Sequence, residues 1–152
     1  AADAVAAVRY PPLGRRSYGP MRSALRIGPT PADAHEQTVV IAMIETAEGL
    51  DQVAAICATP GLDGIYVGPS DLRIGLGGAT PNDPALDGEF EAALVTVREA
   101  AAAAGIAAGI HNPDGASAAR RLAEGFTFAT VASDLVHLEQ AASGHLAAAR
   151  AK

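Results

Sequence analysis

Two short apolar runs, each closed by an acidic residue and separated by one helix-length segment, restrict the possible folds of this chain more than any other feature. They lie in residues 38–77, TVVIAMIETAEGLDQVAAICATPGLDGIYVGPSDLRIGLG. The first run, 39–44, is followed directly by Glu45, and the second, 64–67, by Gly68-Pro69-Ser70 and then Asp71. Residues 47–58 between them have the composition of a helix, so the stretch is a βαβ unit. Parallel strands joined by a helix bring their C-terminal ends to one edge of the sheet. Two carboxylates at that edge can converge on one divalent cation. The uninterrupted run 39–44 further predicts a strand buried on both faces of a parallel sheet.

The remaining chain follows the same rhythm. Residues 1–8 form a helix without a convincing cap, which suggests a start inside a larger unit. RYPPLGRRSYGP, 9–20, is a breaker-rich loop, since Pro11 and Pro12 cannot continue a helix. Residues 31–37 hold a short helix. LRIGLGGATPNDPAL, 72–86, has the glycine and proline content of a long loop on the Asp71 edge. A helix over 89–104 stops at Gly105, a third strand runs 106–110 and ends at His111-Asn112-Pro113, and a helix spans 115–124. A fourth strand covers 126–131, and a last amphipathic helix covers 134–150 with Leu135, Leu138 and Ala142 on one face. The pattern is α/β: a helix and then four βα units, either a small open sheet or part of a (β/α)8 barrel. A whole barrel takes about 250 residues, so 152 would supply half of one.

Composition excludes several classes. Hydrophobic residues make up 49% and aromatics 4%, which suits small-residue helix packing on a Val/Ile sheet rather than a β-sandwich. The formal charge of −6, with no strong clustering of basic residues, argues against nucleic acid as a partner, although Arg9, Arg15, Arg16, Arg22 and Arg26 lie in the first fifth. Cys57 is the only cysteine and reads as core filler beside Leu50, Val53 and Ala54, without a disulfide partner or a thiolate zinc site. No run reaches the length of a membrane span and no signal-peptide pattern opens the chain, so a cytoplasmic protein without membrane partners is expected.

The chemistry-bearing positions have competing explanations. Glu45 can ligate a metal or serve as an acid favoured at a helix N-terminus. Asp71 can ligate the same ion or cap the Gly68-Pro69-Ser70 turn. Two carboxylates with open positions suit Mg²⁺ or another hard cation. His111, at the same edge, can be a base, a substrate contact or a satisfied turn histidine. His35, His137 and His145 are expected in solvent. Arg15-Arg16 can clamp a carboxylate or stay solvated.

RYPPLGRRSYGP, the MIET…GIYVGPSDL segment with its spacing intact, and the following Leu72-Arg73-Ile74-Gly75-Leu76-Gly77 together resemble the HpcH/HpaI aldolase/citrate lyase family, over residues 1 to about 150. The greatest similarity is to the aldolases of 4-hydroxy-2-oxoheptanedioate and 2-dehydro-3-deoxyglucarate type. The resemblance implies a phosphoenolpyruvate/pyruvate-type (β/α)8 barrel, with this chain as one partial domain, 1–152, that carries strands five to eight. It implies a homo-oligomer and a carbon–carbon lyase of the class II pyruvate aldolase kind. Such an enzyme cleaves a 4-hydroxy-2-oxo acid to pyruvate and an aldehyde, or runs the reverse addition, through a metal-stabilised enolate. By the same resemblance Glu45 and Asp71 hold Mg²⁺, Mn²⁺ or Co²⁺. Gly68, Pro69 and Ser70 receive the substrate carboxylate, and Leu76 and His111 shape the aldehyde side. The family's catalytic histidine, a pyruvate-contacting arginine and a further aspartate come from the first four βα units, so no catalytic residue is assigned in this chain. Arg16-Ser17 stands where the family has Arg-Gly. A related lyase acting on an acyl-CoA such as malyl- or citramalyl-CoA, and a non-catalytic self-associating fragment, are the alternatives.

Overall fold

Four strands form one parallel sheet in the order β1-β2-β3-β4: β1 is Ile41–Ile44, β2 Gly64–Val67, β3 Ala107–Asn112 and β4 Phe128–Val131. The structure, a computed structural model, describes residues 1–19 and 21–151. Pro20, the last residue of the breaker-rich loop, and Lys152 lie outside the described residues. The helices are α1 (Ala2–Val8), α2 (Pro31–Gln37), α3 (Ala47–Asp51), α4 (Val53–Cys57), α5 (Pro69–Gly75), α6 (Asp87–Ala104), α7 (Gly115–Ala123) and α8 (Asp134–Arg150).

Local chemistry explains where the helices begin. Thr30 and Asp33 form a reciprocal capping box ahead of Pro31, which donates no N–H and fits the first helical position. Thr46 accepts the Gly49 N–H, Asp114 that of Ser117 and Ser133 that of Val136, each supplying a partner to an otherwise orphaned donor. The Ser117 N–H also holds the Asp114 carboxyl below the usual aspartate range. The expected single helix over 47–58 is broken at Gln52, whose φ of −98° and ψ of 7° leave the α region, so α3 and α4 are separate pieces.

The core lies between one face of the sheet and helices α4 and α6. Alternate strand positions point into it: Ile44 from β1, Ile65 and Val67 from β2, Ala108 and Ile110 from β3. Helix α6 answers with Phe90, Ala93, Leu94, Val97 and Ala101, the spacing of one helical stripe. Cys57 is buried among these groups as expected, and burial pushes its thiol above the ordinary cysteine value. Ala54 instead points to solvent.

Among the described residues the other face of the sheet has no such cover. Ile41 is 44% and Met43 52% exposed, which corrects the expectation of a strand buried on both sides. A continuous apolar run shows that both faces prefer cover without showing that this chain supplies it. Strand pairing in β1 also begins at Ile41 rather than at residue 39, and α8 buries no residue, leaving Leu135 and Leu138 exposed.

Further corrections concern the basic segment and histidine 35. Arg9 is buried, donates to the His35 carbonyl at 2.7 Å and pairs with Asp63 at 3.3 Å, while Asp63 accepts the Val40 N–H. His35, expected in solvent, accepts the Tyr10 N–H through Nε2 at 2.9 Å and packs against the Tyr10 ring. Arg15 pairs with Asp3 of α1, and Arg16 lies over the Tyr10 ring, so both have partners within residues 1–19. Among the described residues no helix is long and apolar enough to cross a membrane.

Candidate metal and substrate site

Because the strands are parallel and in order, Glu45, Gly68, His111 and Val131 stand at their C-terminal ends on one edge. Beyond β2 the chain enters α5 at once. Gly68 is its N-cap, Pro69 occupies the first position, and Asp71 lies in the first turn. This corrects the expectation of a tight turn followed by a loop. Proline sets φ for the opening turn, and Leu72 anchors the helix by complete burial.

At this edge Glu45 and Met43 both pack against Gly68. A Cβ added to Gly68 would lie 3.1 Å from Glu45 Oε2 and 3.0 Å from the terminal methyl of Met43. The missing side chain thus leaves room for the Glu45 carboxylate, directly before the helix that carries Asp71. Glu45 is half-buried and Asp71 exposed, and neither enters an ion pair among the described residues. Gly68→Ala should therefore push the Glu45 carboxylate aside and weaken Mn²⁺ affinity by about tenfold, the size typical of disturbed ligand positioning. Calorimetric titration would measure this, and circular dichroism should show the fold unchanged.

Asp71 lines a hollow of about 290 Å³ together with Met43, Tyr66, Gly68, Pro69, Ser70 and His111. Four of the seven expected site residues, Gly68, Pro69, Ser70 and Asp71, meet His111 there, and Glu45 abuts it through Gly68. Leu76 does not line the hollow. It caps the end of α5 and packs against the core. A neighbouring hollow of about 350 Å³ shares Pro69, Ser70 and His111 and continues past Arg73, Asn112 and Arg120. His137 Nε2 lies 3.3 Å from the Val131 carbonyl and His145 is exposed on α8, so neither reaches the site.

Among the described residues no group of three or more histidines, cysteines and carboxylates could hold a metal ion. Two oxygen donors that leave most positions open do fit a hard divalent cation, whose shell water or substrate oxygens complete. Sequence inspection did not identify Met43 and Tyr66, which line the hollow, or Thr130, whose Oγ1 lies 3.0 Å from His111 Nδ1. The signal for Tyr66 was its place two residues before Gly68, on the same face of β2.

A four-stranded parallel sheet flanked by helices, with Glu45 and Asp71 at its C-terminal edge, defines an α/β protein. The family profile of HpcH/HpaI aldolase/citrate lyase matches residues 1–141, and the chain belongs to that family. A hydroxypyruvate/pyruvate aldolase of Rhizorhabdus wittichii is 44% identical over 146 residues, covering 95% of this chain and 58% of the relative. A family member from Burkholderia cenocepacia superposes with a TM-score of 0.84 at 34% identity, over 97% of this chain and 59% of that one. The citrate lyase beta subunit of M. tuberculosis, complexed with oxaloacetate and magnesium, superposes with a TM-score of 0.55 at 28% identity. That match covers 67% of this chain and 51% of the other. The chain thus spans little more than half the length of the relatives it matches.

Proposed function

We propose that the chain is the C-terminal part, strands five to eight, of a (β/α)8-barrel aldolase. The enzyme would cleave 4-hydroxy-2-oxo acids to pyruvate and an aldehyde, or run the reverse addition. The observation that carries this reading is the Glu45 carboxylate seated in the space left by Gly68, with Asp71 on the wall of the same hollow. Its support is membership of the family and likeness to an aldolase over nearly the whole chain.

Glu45 and Asp71 would hold Mg²⁺, Mn²⁺ or Co²⁺, which when bound supplies Lewis-acid stabilisation of negative charge on the 2-oxo group. Ser70 and Asp71 occupy the opening turn of α5, where backbone N–H groups have no helical acceptor and can receive a carboxylate. Gly68 and Pro69 bring that turn close to the sheet edge. His111 faces the hollow opposite them and would contact the aldehyde side. No described group of the hollow is a clear acid–base pair for carbon–carbon cleavage, and the resemblance places those residues on the other barrel half.

The uncovered side of the sheet, with Ile41 and Met43 exposed, is where that half would pack. It also supports self-association of the isolated chain. The purified 152-residue chain with Mg²⁺ should therefore show weak or no retro-aldol turnover in a pyruvate-coupled assay. Adding about a hundred preceding residues, the remainder of a typical barrel, should restore activity. Robust turnover by the short chain would overturn its assignment as a partial enzyme.

A further inference from the structure

The second hollow, of about 350 Å³, is lined by three arginines, Arg73, Arg120 and Arg121, and by no carboxylate. It shares Pro69, Ser70 and His111 with the first, so it continues from the side given to the aldehyde. Two of its cations are engaged. Arg73 pairs with Asp87 at 2.9 Å and donates to the Asp83 carbonyl at 3.1 Å, and Arg121 is held by Glu91 and Glu124. Arg120 differs. Its side chain is 58% exposed, and the Glu91 oxygen that faces it is 3.9 Å away, too far for a hydrogen bond. Ser117, three residues earlier on α7, lines the hollow with it, as neighbours on one helix face do.

The same hollow also holds an acceptor. Asn112 is 2% exposed, and its Nδ2 donates to the Ile110 carbonyl at 3.0 Å and the Thr130 carbonyl at 3.3 Å. With both N–H groups on carbonyls the amide cannot turn over, so Oδ1 is the atom left for a ligand. A buried carbonyl oxygen needs a donor. An oxyanion supplies none, whereas a hydroxyl does. The donors come from separate elements: Ser70 from α5, Asn82 from the loop before α6, and Ser117 and Arg120 from α7. A tetrahedral phosphoryl group presents three acceptor oxygens to such a ring, and a planar carboxylate only two.

We propose that the second hollow binds the phosphoryl end of a phosphorylated hydroxyaldehyde, with Arg120 pairing the phosphate and Asn112 Oδ1 accepting from the neighbouring hydroxyl. This deepens the aldolase reading and rests on it for the aldehyde. Glycerol phosphate carries both recognised groups without a reactive carbonyl and is the probe. Calorimetry in metal-free buffer would measure its binding to the unsubstituted chain, to Arg120→Gln, and to Arg150→Gln as a control on exposed α8 outside the hollow.

Arg120→Gln should weaken glycerol phosphate by at least about tenfold, the size of one hydrogen bond to a charged group, and Arg150→Gln should leave it unchanged. Propyl phosphate, which lacks the hydroxyls, should bind about fivefold weaker, the size of one neutral hydrogen bond. Inorganic phosphate should bind no better than propyl phosphate. Glycerate, with a carboxylate in place of the phosphate, should lose at least about tenfold. Unchanged affinity in Arg120→Gln, or no binding of glycerol phosphate at all, would overturn the site. Inorganic phosphate binding as tightly as glycerol phosphate would mark a free-anion site and overturn the aldehyde ligand, and equal binding of glycerate would overturn the phosphoryl class. Intact glycerol phosphate binding in a chain that takes up no Mn²⁺ would uphold the phosphoryl site and overturn the metal reading of Glu45 and Asp71 instead.

Discussion

Glu45→Gln and Asp71→Asn should each abolish measurable binding of Mn²⁺ or Mg²⁺, a loss of at least about a hundredfold. Each change keeps the shape of the side chain and removes one of the two negative charges facing a doubly charged ion. The remaining carboxylate would have to hold the cation with neutral donors alone, and hard cations select anionic oxygen. Because losing a group that merely orients a ligand already costs about 10–100-fold, loss of a direct ligand should equal or exceed that range. Calorimetric titration of each variant is the measurement. Glu48→Gln, on exposed α3 and outside the hollow, is the control and should bind like the unsubstituted chain. Retained affinity in both site variants would show that the carboxylates serve only the helix N-termini they precede or enter.

The same variants separate two roles that the geometry assigns to one edge. Glu45 precedes the Thr46 cap of α3, and Asp71 stands in the first turn of α5, so both carry charge favoured by a helix N-terminus. The dipole explanation predicts a small loss of stability and says nothing about cations. It also gives no reason for Gly68, where a Cβ would crowd the Glu45 carboxylate and the Met43 methyl although the backbone conformation would admit one.

Much of this architecture was legible because it depends on patterns internal to short segments. Four apolar runs with helix-forming segments between them gave the parallel α/β order, and the acidic residues after β1 and β2 gave the edge. Two kinds of feature were not legible. The first kind depends on partners distant in sequence: Arg9 with Asp63, His35 with Tyr10, and Thr130 with Tyr66 and His111. These are set by strand register and loop path, which no local periodicity reports. The second kind is an element whose composition contradicts its conformation. Residues 69–75 contain proline and glycine yet form α5, because proline lies at the permitted first position and glycine at the end, with Leu72 buried between them. In β1 the apolar run was real, but among the described residues only one of its faces is covered.

Arg121→Ala should destabilise the fold by about 3 kcal/mol, the lower end of the cost of breaking a buried ion pair. The Arg121 side chain is 6% exposed and bonds both oxygens of Glu91 at 2.6 Å and Glu124 at 2.8 Å, tying α7 to α6. The lower end applies because the Glu91 side chain is 44% exposed, so solvent screens the carboxylate left behind. The hydrogen bonds from Arg121 hold the Glu91 carboxyl below its ordinary value of 4.5. A lowered folded-state value means that the unfolded chain takes up the proton first as acid is added. The pair's contribution is therefore complete above about pH 4.5 and disappears as the pH falls through the lower folded value. Glu91→Gln removes this titration. The stability difference between the unsubstituted chain and Glu91→Gln, from urea unfolding, should be constant between pH 7 and 5 and shrink towards pH 3. A difference that stays constant down to pH 3 would show that the α6–α7 contact depends on packing of the arginine stem and not on its charge.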